Sequence, residues 1–172
     1  MTALQLFVER GYYDTKITDI AAAVPMSTGL LFHYFESKED LLMELVKMGA
    51  EGTKSADPIP GVPPEIFLSK FLGQLFSYAT EQPWVFNMFV LMGQVRRPGM
   101  PEEARKIAEG VNTIDMTVAL IKEGQSKGVF REGDPVIMST MFWAAIQGIM
   151  EEMAVNKEFK VPDPECIVAI LK

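Results

Sequence analysis

Residues 15–41, TKITDIAAAVPMSTGLLFHYFESKEDL, decide the fold of this chain. Ile17, Ile20, Ala21 and Val24 recur at helical spacing, which predicts a short helix with one apolar face, capped by Thr15. Pro25-Met26 interrupts it, because proline donates no backbone hydrogen bond and disfavours a helical residue before it. Ser27 offers a side-chain oxygen to the free amides of a second helix, Thr28 to Phe35. Ser37 followed by Asp40 has the pattern of a capping box and opens a third helix at Lys38. Helix, tight turn, helix is the helix-turn-helix arrangement, in which the second helix lies in the major groove of DNA.

Upstream, Thr2 to Arg10 reads as a helix with Leu4, Phe7 and Val8 on one side, Thr2 as its cap and Gly11 as its stop. Leu4, Phe7, Ile20, Leu31, Phe35 and Leu41 then form a small three-helix core. The helix from Lys38 runs to about Lys54, with Gly49 and Gly52 marking either a joint or a frayed end. Asp57 to Pro64, DPIPGVPP, cannot continue a helix. Further helices are expected at Glu65 to Thr80, from Pro83 to about Arg97, at Glu102 to Ser126, from Pro135 to about Asn156, and at Pro164 to Lys172. No strand pattern, repeat or low-complexity segment interrupts them. The expected fold is all-α: a helix-turn-helix domain at 1–49 and a larger helical domain at 50–172.

Composition narrows the functional classes. A chain of 172 residues, 48% of them hydrophobic, is long enough to bury a sizeable core. One cysteine, Cys166, excludes an internal disulfide and fits a reducing compartment, hence a cytoplasmic protein. No run of eighteen apolar residues occurs, so no membrane span is expected, and MTALQLFVERG is charged too early for a secretory signal. One histidine and one distant cysteine cannot build a structural metal site. No glycine-rich phosphate loop and no free histidine base are present, so neither an enzyme nor a cofactor is expected. Residues 1–49 hold four basic and seven acidic side chains, a balance of −3 within a whole-chain charge of −7. That is unusual for a DNA-binding module, where phosphate neutralisation supplies much of the affinity.

Several motifs together resemble the TetR-type transcriptional regulators. They are Ile20-Ala21, Ser27, Gly29, Leu31, His33-Tyr34-Phe35, Ser37-Lys38-Glu39 and Leu41-Leu42, with Ala3, Leu6-Phe7 and Glu9-Arg10-Gly11-Tyr12 upstream. Gly124, Gly128, Phe130-Arg131 and Asp134-Pro135 resemble the family's junction before its last two helices. The resemblance implies that Thr28 and Gly29 lie nearest the bases. It puts Thr18, His33 and Tyr34 on the groove wall and Lys38 on a phosphate. Leu30 stands where threonine or serine is usual and Phe32 where tyrosine is usual, so two hydroxyl contacts to phosphate are missing. Leu30 is placed instead to touch a thymine methyl. Family members carry a longer, often basic segment before the position of Thr2, so this first helix reads as shortened.

The same resemblance implies a small-molecule pocket in the larger domain. The methionines and aromatics there read first as core, yet methionine also suits adaptable cavities. Phe67, Phe71, Trp84, Met88, Met92, Met116, Met138 and Phe142 are the apolar candidates, and Asn87, Thr117 and Gln147 the polar anchors of a small apolar ligand. Val136 to Met150 is apolar on every side. Met138, Phe142, Ala145 and Ile149 face its own core, and Ile137, Met141, Ala144 and Gly148 face a second copy, which predicts a homodimer. The expected function is a ligand-responsive repressor released from palindromic, double-stranded operator DNA. The alternative is a dimeric ligand-binding module with little specific DNA binding, which the acidic N-terminal region and Leu30 and Phe32 favour.

Overall fold

The computed structural model describes residues 1–24, 26–53, 58–156 and 158–172. Pro25, Lys54 and Asp57, on which three of the boundaries above rest, lie outside the described residues. Every regular element among the described residues is helical: α1 (Thr2–Arg10), α2 (Ile17–Ala23), α3 (Thr28–Tyr34), α4 (Lys38–Gly52), α5 (Pro64–Glu81), α6 (Trp84–Val95), α7 (Glu102–Glu109), α8 (Thr113–Ser126), α9 (Pro135–Val155) and α10 (Pro164–Val168), followed by a 3-10 turn, Ala169–Leu171. They form two compact units. One holds residues 1–52 and 84–111, the other 53–83 and 112–172.

In the first unit α1 packs on α6 and α2, α2 on α3, and α4 on both α6 and α7. Leu4, Phe7, Ile20, Leu31 and Leu41 are buried and Phe35 is half-buried, as the helical spacing requires. Met88, Leu91 and Val95 of α6 and Ala104 and Ala108 of α7 join the same core. Gly11 ends α1 with φ 87°, a conformation that strains any residue with a Cβ, and its N–H donates to Phe7 O at 3.0 Å. Gly49 is a packing glycine: a Cβ there would stand 2.8 Å from Met92 Sδ and 2.9 Å from Met88 Sδ. A Cβ on Gly52 would meet nothing within 4 Å among the described residues.

Two expected caps differ. The N-cap position of α1 is Met1, with no side-chain hydrogen bond, so Thr2 is not its cap. Thr15 does not cap α2. It is fully buried, with Oγ1 2.8 Å from Gly11 O and 3.1 Å from Leu6 O, so its hydroxyl ties down the end of α1. The start of α2 is closed instead by Asp19, whose carboxylate accepts from Lys16 N at 2.9 Å. Ser27 caps α3 as expected, accepting from Leu30 N at 3.1 Å. Ser37 accepts from Asp40 N at 3.0 Å and so opens α4.

The single helix expected from Glu102 to Ser126 is two helices, α7 and α8. Gly110 weakens the helix at that point, and Asn112 caps α8 by accepting from Asp115 N at 3.1 Å. In the second unit α8 packs on α9 and α5, and α10 packs on α5 and α9. The buried line of α9 is Met138, Phe142, Ile146 and Met150, one residue every four along the helix. Ala145 and Ile149, expected in that line, are only half-buried on its flank. Arg131 N donates to Leu171 O at 2.9 Å and holds the C-terminal turn. A Cβ on Gly124 of α8 would meet the Phe130 ring at 2.1 Å, so that helix end admits only glycine without rearrangement.

Candidate nucleic-acid interface

The candidate site grows from α3, which is seven residues long. Leu31 points into the core and is 5% exposed. At about 100° per residue, the face opposite Leu31 has Gly29 and His33 along its middle. Leu30 and Phe32 flank that midline by roughly 80° on either side. The structure agrees: Gly29 and His33 are exposed, Leu30 is 44% exposed and Phe32 50%. Tyr34 is exposed beside His33, the two rings 5.5 Å apart and edge to face. Thr28 is half-buried in the first turn, and Thr18 is exposed on α2. Among the described residues, only Ser27 Oγ, 3.9 Å away, lies near a Cβ built on Gly29.

Lys38, expected on a phosphate, turns its ammonium toward the fold. Its ammonium donates to Tyr12 O at 2.7 Å and Thr15 O at 2.9 Å, both carbonyls of the α1–α2 turn. It also lies 4.3 Å from the centroid of the Tyr12 ring and 5.9 Å from that of Tyr13. Two of its three N–H groups are therefore committed within the fold. Partial burial holds its pKa below the usual lysine value, opposed by the nearby Asp14 carboxylate. The hydroxyl of Tyr13 donates to Gly99 O, which ties the same turn to the segment after α6. The Tyr12–Tyr13–Lys38 cluster was not singled out by sequence reasoning. The only signal for it was a tyrosine pair directly after the glycine stop.

The ligand candidates divide between the units. Trp84, Asn87, Met88 and Met92 lie on α6 in the first unit, where Met88 is buried and Trp84 and Met92 pack against the same core. Phe67, Phe71, Met116, Thr117, Met138, Phe142 and Gln147 lie in the second. There Phe67 stacks on Phe71 at 6.5 Å, and Phe71 meets the edge of Trp143 at 6.0 Å. Phe142 and Trp143 are 5.9 Å apart. Met138 and Phe142 are fully buried core residues. Met116 is half-buried. Thr117 is not a free anchor: it is buried, accepts from Trp143 Nε1 at 2.9 Å, and donates to Thr113 O at 3.1 Å. Gln147 Nε2 donates to Glu151 Oε1 at 3.0 Å along its own helix. Trp143, the hub of this cluster, was missed because an aromatic on an all-apolar helix has no distinguishing spacing.

The proposed dimer face is open within the chain. Ile137 is 60% exposed and Met141 44%, Ala144 is exposed, and a Cβ on Gly148 would meet nothing within 4 Å among the described residues. The C-terminal helix does not cover it. No helix among the described residues is long and apolar enough to cross a membrane.

Residues 2–45 match the family of bacterial regulatory proteins of the tetR type. The HTH-type transcriptional regulator HbdR of Aromatoleum sp. (strain CIB) is 47% identical over 45 residues, which span 26% of this chain and only 20% of that protein. Among solved structures, the TetR family transcriptional regulator PfmR from Thermus thermophilus superposes with a TM-score of 0.71 at 25% identity, covering 99% of this chain and 94% of that one. AibR in complex with isovaleryl coenzyme A and operator DNA superposes with a TM-score of 0.72 at 20% identity, covering 98% of this chain and 90% of that one.

Proposed function

We propose that this chain, whose residues 2–45 match the tetR family of bacterial regulatory proteins, is a homodimeric, ligand-responsive DNA-binding regulator that acts as a repressor. The observation that carries the reading is α3, which presents Gly29, Leu30 and His33 outward from a helix fixed by the Ser27 cap and the buried Leu31. Residues 1–49 read DNA, and 50–172 bind the ligand and dimerise. Thr18, Thr28 and Tyr34 supplement the contacts of α3. Lys38 acts by holding the α1–α2 turn against α4, through the carbonyls of Tyr12 and Thr15.

Two copies pair through the Ile137, Met141, Ala144 and Gly148 face of α9 and present two α3 helices to a palindromic operator. Its half-sites lie about one helical turn apart or slightly more. A two-fold interface buries the same patch on both subunits, so a row of apolar and small residues on one helix is sufficient. AibR was crystallised with an acyl coenzyme A and operator DNA, which supports a ligand with an apolar part for this fold. The ligand acts through its difference in affinity between the DNA-fitting state and the released state. The regulator has no catalytic role and works where the DNA is, in the cytoplasm.

Selection of bound sequences from a random duplex pool at low salt, then affinity at rising salt, tests the reading. A palindromic sequence with preference that survives salt is expected. Weak, unselective binding would favour the second reading, a dimeric helical ligand-binding module. The −3 balance of residues 1–49 and the inward ammonium of Lys38 are the observations behind that alternative.

A further inference from the structure

We infer that Leu30 reads the C5-methyl group of a thymine in each half-site of the operator, an inference that rests on the DNA-binding reading above. Leu30 is in the first turn of α3, where its backbone N–H donates to Ser27 Oγ at 3.1 Å. The N-terminal residues of a reader helix are the ones that meet base edges. The Ser27 cap therefore anchors the backbone of Leu30 and leaves its side chain to project.

That side chain is 44% exposed, while the adjacent Leu31 is 5% exposed. The fold thus has a leucine to fill its core and a second one beside it that the core does not use. Gly29, next along the outward face, carries no Cβ, and among the described residues a Cβ there would meet only Ser27 Oγ, 3.9 Å away. The backbone can therefore approach the groove floor at this point, and the first side chain to follow is Leu30.

Leucine has no donor or acceptor, so a phosphate oxygen gains nothing from it. Among the edges in the major groove, guanine, adenine and cytosine present acceptors or donors that lose their water against an alkyl group. Thymine alone presents a methyl group there. Two alkyl groups in contact exclude water with no polar loss, so Leu30 discriminates for thymine at its position. Residues 1–49 carry a balance of −3, so contacts that do not depend on phosphate charge take a larger share of the binding energy. Phe32, 50% exposed on the other flank, is likewise without a donor.

The test uses the full chain and the operator selected above. Each thymine is replaced in turn by uracil, which removes only the methyl group, and affinity is measured at one fixed salt concentration. One position per half-site is expected to weaken binding about fourfold, and replacement in both half-sites on the order of fifteenfold, from the burial of one methyl each. In Leu30→Ala, whose folding is checked by circular dichroism, the thymine and uracil operators are expected to bind equally. With wild-type protein, a 5-methylcytosine pair at the same position is expected to bind more tightly than a plain cytosine pair.

Equal affinity for thymine and uracil at every position, with a selected operator in hand, would overturn the role of Leu30 and leave the regulator reading intact. A uracil penalty that persists unchanged in Leu30→Ala would assign the methyl contact to another residue. Failure to select any operator would overturn the regulator reading and this inference together.

Discussion

Helices α3 and α9 both leave large apolar side chains in water, and they differ in length and in the residues that accompany those side chains. On α9, 21 residues long, Ile137 and Met141 are followed by Ala144 and Gly148 along one open face. On α3, seven residues long, Leu30 and Phe32 flank a strip of Gly29 and His33. A long row with small residues lets another helix lie close along its whole length, which suits a second copy of the same helix. A short face with a bare glycine and mixed polarity is too small for a helix pair and fits the varied edges of base pairs. An exposed apolar residue is thus ambiguous alone, and its helix length and neighbours decide what it awaits.

The largest expected effect tests the α9 side of this contrast. Gly148→Leu adds a side chain into open space within the chain, so the subunit should fold normally. The dimer dissociation constant should rise at least about a hundredfold, roughly 2.7 kcal/mol, by sedimentation equilibrium. A variant that remains as tightly dimeric would remove the second copy from the α9 face.

Gly124→Ala sharpens the same point on a closed face. Its Cβ would stand 2.1 Å from the Phe130 ring. Overpacking should outweigh the gain in helix propensity and cost about 2 kcal/mol in denaturant unfolding. Together the two glycines separate a site closed by the chain itself from one left open.

On the α3 side, Lys38→Met removes the donor to Tyr12 O and Thr15 O and should cost about 1.5 kcal/mol of stability. The salt slope of DNA binding should stay nearly the same. A slope lower by about one would return the ammonium to a phosphate. The smallest effect is Ser27→Ala, which removes the α3 cap and should cost about 1 kcal/mol. Hydrogen exchange at the Leu30 amide should quicken, and operator affinity should fall as the reader helix frays. An unchanged exchange rate would show that packing of Leu31 alone holds α3.

Legibility followed the range of the interaction. Ser27, Ser37 and the apolar spacing of Ile20 and Leu31 act within a turn or two, and each was placed correctly from residue order. Thr15 was misassigned although it is local, because its hydroxyl had two possible uses and burial selected the carbonyls of Gly11 and Leu6. The break between α7 and α8 is not legible in the apolar spacing, which continues across Gly110 and Asn112 and predicts one helix from Glu102 to Ser126. In the candidate site, the residues of α3 expected at DNA came from the family resemblance, and the structure leaves Gly29, Leu30, His33 and Tyr34 exposed. Spacing alone does not separate a core phenylalanine from a cavity phenylalanine.

The amino-acid order by itself determined the all-helical class, the turn between two short helices, the caps that position the second of them, and the apolar excess on α9. These depend on backbone geometry and on contacts a few residues apart. Only the tertiary structure decided that Lys38 donates to a carbonyl 26 positions away, and that Trp143 donates to Thr117 across the same separation. It also decided that Gly49 and Gly124 are filled by Met88, Met92 and Phe130, and that the Ile137 face stays open while the Met138 face is closed. Such contacts join groups that are remote in the chain, and their partners are selected by the space that packing leaves.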